Sequence, residues 1–116
     1  MSINRDYPEG SYNNIYLQHV FATIDVFADY DNVLGFFAAN EVINKKEETE
    51  SAAYVKAVIR DMKRYIKERG YRQIPVGYSA ADVAENRLQQ ADYFNCGPDD
   101  VRADFFGVSR SVEEVC

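Results

Sequence analysis

The stretch "VLGFFAANEVIN", Val33 to Asn44, opens as an apolar run and then stops at an amide and a carboxylate side by side, Asn40 and Glu41. A short apolar run rich in aromatic and β-branched residues and bounded by polar ones suits a buried strand better than a helix of so few residues. The run therefore predicts a strand over Val33–Phe37, with Asn40 and Glu41 just past its carboxyl end.

Upstream, Asp31 and Asn32 form a break, and before them Tyr12, Tyr16, Val20, Ile24 and Phe27 recur every three or four residues. That spacing predicts a helix reaching about Tyr30, entered after the turn signals Pro8 and Gly10. Downstream, "NKKEETES" is a polar connection ending in Thr49 or Ser51 as a possible N-cap. A second helix follows, with Val55, Val58, Ile59, Met62, Tyr65 and Ile66 on one face and Lys56, Arg60, Lys63, Arg64 and Lys67 on the other. Gly70 suits its carboxyl-terminal cap. "QIPVGY", Gln73 to Tyr78, predicts a second strand, with Pro75 at its start because proline cannot donate to the ladder. "SAADVAENRLQQADYF" reads as a loop entering a third helix with Leu88, Ala91 and Phe94 inward, and after the turn "CGPDD" the residues Ala103–Val108 predict a third strand.

Strands alternating with helices of this length are the pattern of an α/β fold with a parallel sheet. The glycine-rich loop of a dinucleotide-binding sheet follows none of the strands, and a complete (β/α)8 barrel needs about 250 residues. With 116 residues, a barrel of this kind is present only as a piece.

Composition narrows the function classes. Thirteen Lys and Arg against 19 Asp and Glu give a net charge of −6, and without a basic cluster among exposed aromatics nucleic acid is not an expected partner. Neither an apolar span of membrane-crossing length nor a secretory h-region is visible in these residues. His19 lies beside the apolar stripe of the first helix with no second histidine near it, so it reads as structural, and no metal or cofactor is expected. Cys96 has no histidine close in sequence to activate it. Cys96 and Cys116 are compatible with one disulfide, with partners outside these residues, or with two thiols.

In an α/β barrel, side chains at the carboxyl ends of the strands face the active site. Asn40 and Glu41 follow the first strand, and Ser79 and Asp82 follow the second. A glutamate beside an apolar strand end is partly desolvated, which favours its protonated form and fits it to give a proton to a leaving oxygen; the amide of Asn40 suits a sugar hydroxyl. Without such an architecture, Glu41 reads as a solvated loop carboxylate, Asp82 as a helix cap and Arg87 as part of a solvated helix face.

The blocks "SINRDYP", "NVLGFFAANEVIN", "YVKAVIRDMKRYI", "IPVGYSAADVAENR" and "ADYFNCGPDDVRADFFG" together resemble glycoside hydrolase family 72, the fungal GPI-anchored β-1,3-glucanosyltransferases. The resemblance implies a retaining (β/α)8 TIM barrel that cuts an internal β-1,3 linkage of cell-wall glucan, holds the donor as a glycosyl-enzyme and transfers it to another glucan chain. It places residues 1–107 in the central part of the catalytic barrel, roughly strands four to six, with 108–116 a divergent tail. Glu41 matches the acid/base at the end of the fourth strand and Asn40 the amide beside it. Asp82 and Arg87 match positions in the substrate groove, while Ser2, Asn4 and Arg5 belong to a glucan-lining loop. Cys96 matches a cysteine whose partner lies beyond these residues.

The family's nucleophilic glutamate stands at the seventh strand, past the last matching block, so no residue here takes that role. An active-site tyrosine expected after Phe106 is replaced by "GVSRSVEEVC". The family's cell-surface location, by secretory signal and GPI anchor, is implied for the longer protein, no signal or anchor being visible here. The expectation is thus a truncated piece of a transferase, inactive alone; the alternative is a non-catalytic glucan-binding remnant or truncated gene product.

Overall fold

The computed structural model describes residues 3–43, 50–82 and 87–109. Its elements run α1 (Pro8–Ser11), α2 (Asn14–Phe27), β1 (Phe36–Asn40), α3 (Ser51–Glu68), β2 (Val76–Ala81), α4 (Arg87–Asn95) and β3 (Phe105–Ser109). The strands form one sheet in the order β1-β2-β3, and both pairings are parallel. Parallel neighbours need a crossover; α3 supplies it between β1 and β2, and α4 between β2 and β3.

The apolar stripe of α3 drives the packing. Val55, Val58, Ile59, Met62 and Ile66 are all buried, as their spacing predicts, while Tyr65 is half-buried. They meet Val76, Tyr78 and Ala80, which alternate along β2 and are fully buried. Each fully buried Val or Ile side chain of this kind contributes about 1.5–3 kcal/mol. The helix ends at Gly70, whose φ of 71° is the left-handed conformation glycine adopts without strain. Two bonds close that end, Gly70 N–H to Lys67 O at 3.1 Å and Tyr71 N–H to Ile66 O at 3.2 Å, the pattern that satisfies the last helical carbonyls.

α2 is capped by Asn13, whose side chain accepts from the Tyr16 N–H at 3.0 Å. It buries Tyr16 and Ile24, and Phe21 stacks on Tyr65 of α3 with ring centroids 4.2 Å apart. Tyr65 and Tyr71 both donate to Asp25, and these two bonds hold its carboxyl below the usual carboxylate range.

Several expectations are corrected. All three strands begin two to three residues later than the apolar runs suggest: β1 starts at Phe36, not Val33, β2 at Val76, not Gln73, and β3 at Phe105, not Ala103. Pairing decides this, because the Phe36 N–H bonds to Pro75 O and the Asp104 N–H to Val76 O, which leaves Leu34 outside the ladder and 89% exposed. Asn40 and Ser79 consequently lie inside strands rather than past them. Phe27 is exposed at the end of the α2 stripe. In α4, Leu88 is exposed and Gln90 is buried with Phe94, so the face carrying Gln90 and Phe94 turns inward. Ser51 is the first residue of α3 rather than its cap, which is Glu50; Thr49 lies outside the described residues. His19 lies on α2, beside its apolar stripe, and is exposed.

Candidate active site at the carboxyl end of the sheet

β1 carries an irregularity that decides where its last residues point. Phe37 pairs with Gly77 but Ala39 pairs with Tyr78 and Asn40 with Ser79, so one extra residue is accommodated between Phe37 and Ala39. Ala38 and Ala39 are both buried, the small pair that such a bulge tolerates. Because side chains alternate, one extra residue reverses the facing of everything after it. Asn40 is thereby set level with Ser79 and is exposed, where an unbroken alternation would turn it among the helices.

Glu41 follows directly. Its N–H donates to Ser79 O at 2.8 Å, continuing the ladder one bond past the strand, and its φ is 51°. A left-handed conformation in a residue other than glycine costs on the order of 1–3 kcal/mol and persists only where the surroundings over-determine it. The surroundings here are Val42 and Ile43, both buried, and the Tyr78 phenol oxygen, which accepts from the Ile43 N–H at 3.2 Å. Burial pushes the Tyr78 phenol up, amide hydrogen bonds from Ile43 and Val42 oppose this, and the charges of Glu41 and Arg5 both reach it. Arg5, from the loop before α1, is tied to the start of α3, its carbonyl accepting from Ser51 Oγ at 3.5 Å.

The other expected site residues divide. Asp82, one residue past β2, forms an ion pair with Arg87 at the start of α4, both side chains partly buried. Asn4 is exposed and shapes the same loop as Arg5, its Oδ1 accepting from the Asp6 N–H at 2.8 Å and its own N–H donating to Ser11 Oγ at 2.9 Å. Ser2 lies outside the described residues. Cys96 is an exposed free cysteine after α4, and Cys116 lies outside the described residues, as does the tail after Ser109. The structure thus gathers Asn40, Glu41, Ser79 and Asp82 at one end of the sheet, with Arg87 held on Asp82. Sequence reasoning misses Tyr78 in this region: the alternation Val76, Tyr78, Ala80 signals burial, but nothing in it signals where the phenol oxygen reaches.

Among the described residues, groups of three or more His, Cys, Asp and Glu able to hold a metal do not occur. What the arrangement offers is a carboxylate and an amide presented together from a rigid strand end. A parallel α/β unit with its polar side chains collected at the carboxyl end of the sheet is the class this geometry defines.

Within that class, residues 1–113 match the glucanosyltransferases of glycoside hydrolase family 72, and the chain belongs to that family. It is 67% identical over 109 residues to the 1,3-beta-glucanosyltransferase GAS5 of Saccharomyces cerevisiae, covering 93% of this chain and 22% of that protein. It is 61% identical over 105 residues to the 1,3-beta-glucanosyltransferase gel1 of Aspergillus fumigatus, 90% of this chain and 23% of that one. Solved structures of Gas2 superpose with a TM-score of 0.87 at 43% identity, covering 94% of this chain and 24% of theirs. A Glu-to-Gln variant of Saccharomyces cerevisiae Gas2p, TM-score 0.86 at 43% identity, holds laminaritetraose and laminaripentaose; 92% of this chain and 24% of that chain are covered. The chain therefore spans between a fifth and a quarter of the length of these relatives.

Proposed function

We propose that this segment supplies the acid/base half of a retaining 1,3-beta-glucanosyltransferase, with Glu41 as the acid/base and Asn40 as the amide that fixes the sugar beside it. The observation that carries the reading is the placement of Glu41: a left-handed glutamate at the end of a bulged strand, in a chain of this family. The three strands are then the fourth to sixth of a (β/α)8 barrel, with residues 1–107 its central part and 108–116 a tail of divergent sequence. The longer protein acts on β-1,3-glucan at the cell surface, held there by a GPI anchor.

In the first step, a carboxylate from outside this segment attacks the anomeric carbon while Glu41 gives its proton to the departing glucan oxygen; the C–O bond to the leaving chain breaks as the bond to the nucleophile forms. In the second step the now ionised Glu41 takes the proton of an acceptor sugar hydroxyl, whose oxygen displaces the nucleophile. Retention requires the two carboxyl groups to stand roughly 5 Å apart. Asp82, Arg87, Ser2, Asn4 and Arg5 line the groove in this reading.

The test is a hybrid in which this chain replaces the 109-residue matching segment of the Saccharomyces cerevisiae GAS5 relative, assayed on laminari-oligosaccharides. Transfer products are expected, and Glu41→Gln is expected to lower kcat by about 10²–10⁴-fold or more, the range of a lost general acid/base. A hybrid that still transfers at parental rate with Glu41→Gln would remove Glu41 from the chemistry. A hybrid that binds oligosaccharide with no transfer, Glu41 intact, would favour the glucan-binding remnant instead.

A further inference from the structure

We infer that Tyr78 is a positioning residue for Glu41, its phenol oxygen latching the backbone just after Glu41 so that the carboxyl group is held at the strand end. The inference rests on the acid/base reading of Glu41 and names what keeps that residue in place.

Glu41 is tethered on its amino side by its own N–H to Ser79 O at 2.8 Å. Without a second tether, a non-glycine residue at a φ of 51° would relax toward negative φ, which swings the carboxylate away from the strand axis. The second tether lies two residues on. Ile43 is fully buried, and its N–H donates to Tyr78 Oη at 3.2 Å. An amide so deep in the core has to be paired, and a phenol reaching across from the neighbouring strand meets it.

Tyr78 is itself fixed. It is fully buried, its ring lies 4.5 Å from Phe94 of α4 and 6.1 Å from Phe106 of β3 by centroids, and its backbone is the register partner of Ala39 and Phe106. The phenol oxygen is thus a fixed point set by the sheet and α4, and the loop carrying Glu41 is pinned to it. The residue does not meet the substrate; it acts through the main chain of Glu41–Ile43.

Tyr78→Phe keeps the ring and removes the single oxygen, so it is the variant to make in the hybrid described above. Losing one buried amide partner is expected to raise hydrogen exchange of the peptide spanning Asn40–Ile43 by about tenfold, with the α3 peptide unchanged. Looser placement of the acid/base is expected to lower kcat roughly 10- to 100-fold with KM within about twofold, because the chemistry and not the binding of distant sugars depends on it. Ile66→Ala, at the far end of α3, is the control: it lowers stability while leaving Asn40–Ile43 exchange and kcat per folded molecule as in the parent.

Tyr78→Phe with parental exchange at Asn40–Ile43 and parental kcat would overturn the latch. So would a Tyr78→Phe variant that behaves like Ile66→Ala, losing stability alone, or one whose kcat is recovered entirely by correcting for the folded fraction. Should Glu41→Gln leave activity untouched while Tyr78→Phe loosens Asn40–Ile43, the acid/base reading falls and the latch stands.

Discussion

At the amino ends of the strands, side chains close the backbone, whereas at the carboxyl ends the backbone is bent to present side chains. Asp104 shows the first arrangement: one carboxylate oxygen accepts from the Val76 N–H at 2.9 Å and the other from Lys63 at 2.8 Å. Lys63 also donates to Arg102 O at 2.9 Å, and Arg72 ties down the turn before β1 through Tyr30 O and Val33 O at 3.3 and 2.9 Å. Each is a side chain committed to loop carbonyls and amides. At the other end, β1 bulges, Glu41 turns left-handed, and a tyrosine holds the loop behind it. One sheet thus divides stability and presentation between its two ends, so substitutions at the two ends should separate the two properties.

The largest effect is expected from deleting Ala38, which removes the extra residue of β1 and returns Asn40 to the helix-facing side. In the hybrid, transfer should fall by about 10²-fold or more, since angstrom-scale misplacement at a reacting centre costs about that much; a deletion variant with parental kcat would show that the bulge does not orient the site. Next comes Asp104→Ala at the opposite end. It leaves the Val76 N–H without its acceptor and takes from Lys63 its carboxylate partner, with the Arg102 carbonyl still in place, and should cost about 1–3 kcal/mol by denaturant unfolding, with kcat per folded molecule unchanged.

Smaller again in its effect on stability is Glu41→Gly, which relieves the left-handed strain and should stabilise by about 1 kcal/mol, although transfer is lost with the carboxyl group; a loss of stability would mean that the Glu41 side chain contributes more to the fold than its backbone costs. That opposition, activity maintained against stability, is the reverse of the outcome expected at Asp104.

The smallest effect concerns Tyr16, buried in α2 with a hydroxyl that meets no hydrogen-bonding side chain or backbone group among the described residues. Burial pushes its phenol up to about 12, so the folded state keeps this proton where the unfolded chain has lost it. The sign is therefore that its contribution is full below the ordinary tyrosine value near 10 and is lost as pH rises from there through about 12. Tyr16→Phe should be neutral or stabilising by up to about 1 kcal/mol at neutral pH and should flatten the loss of stability above pH 10, read by unfolding across pH.

The elements also differ in how far they can be read from the residues alone. The α3 stripe from Val55 to Ile66 announces itself because helix periodicity and burial coincide, and Gly70 marks its end. The carboxyl ends of the strands escape such a reading for the same reason that they are useful. Apolar runs mark where a strand is buried, but β1 and β2 continue into Ala-Ala-Asn and Ser-Ala-Ala, small or polar residues that a run of hydrophobicity does not include. Leu88 and Gln90 show the limit in α4: its apolar stripe is too weak to mark which face turns inward.

Residue type and local periodicity were enough for the alternation of helices and parallel strands, for the core face of α3, and for marking Asn40 and Glu41 as the polar end of an apolar strand; the family followed from the likeness of whole blocks of sequence. The folded chain added what those properties leave open: β1 bulges at Ala38 and Ala39, Asn40 shares a level with Ser79, Glu41 stands at a φ of 51°, and Tyr78 holds the loop behind it. Register and backbone conformation arise from pairing between segments far apart in the chain, 35 residues in the case of Tyr78 and Ile43, and no single segment carries that information.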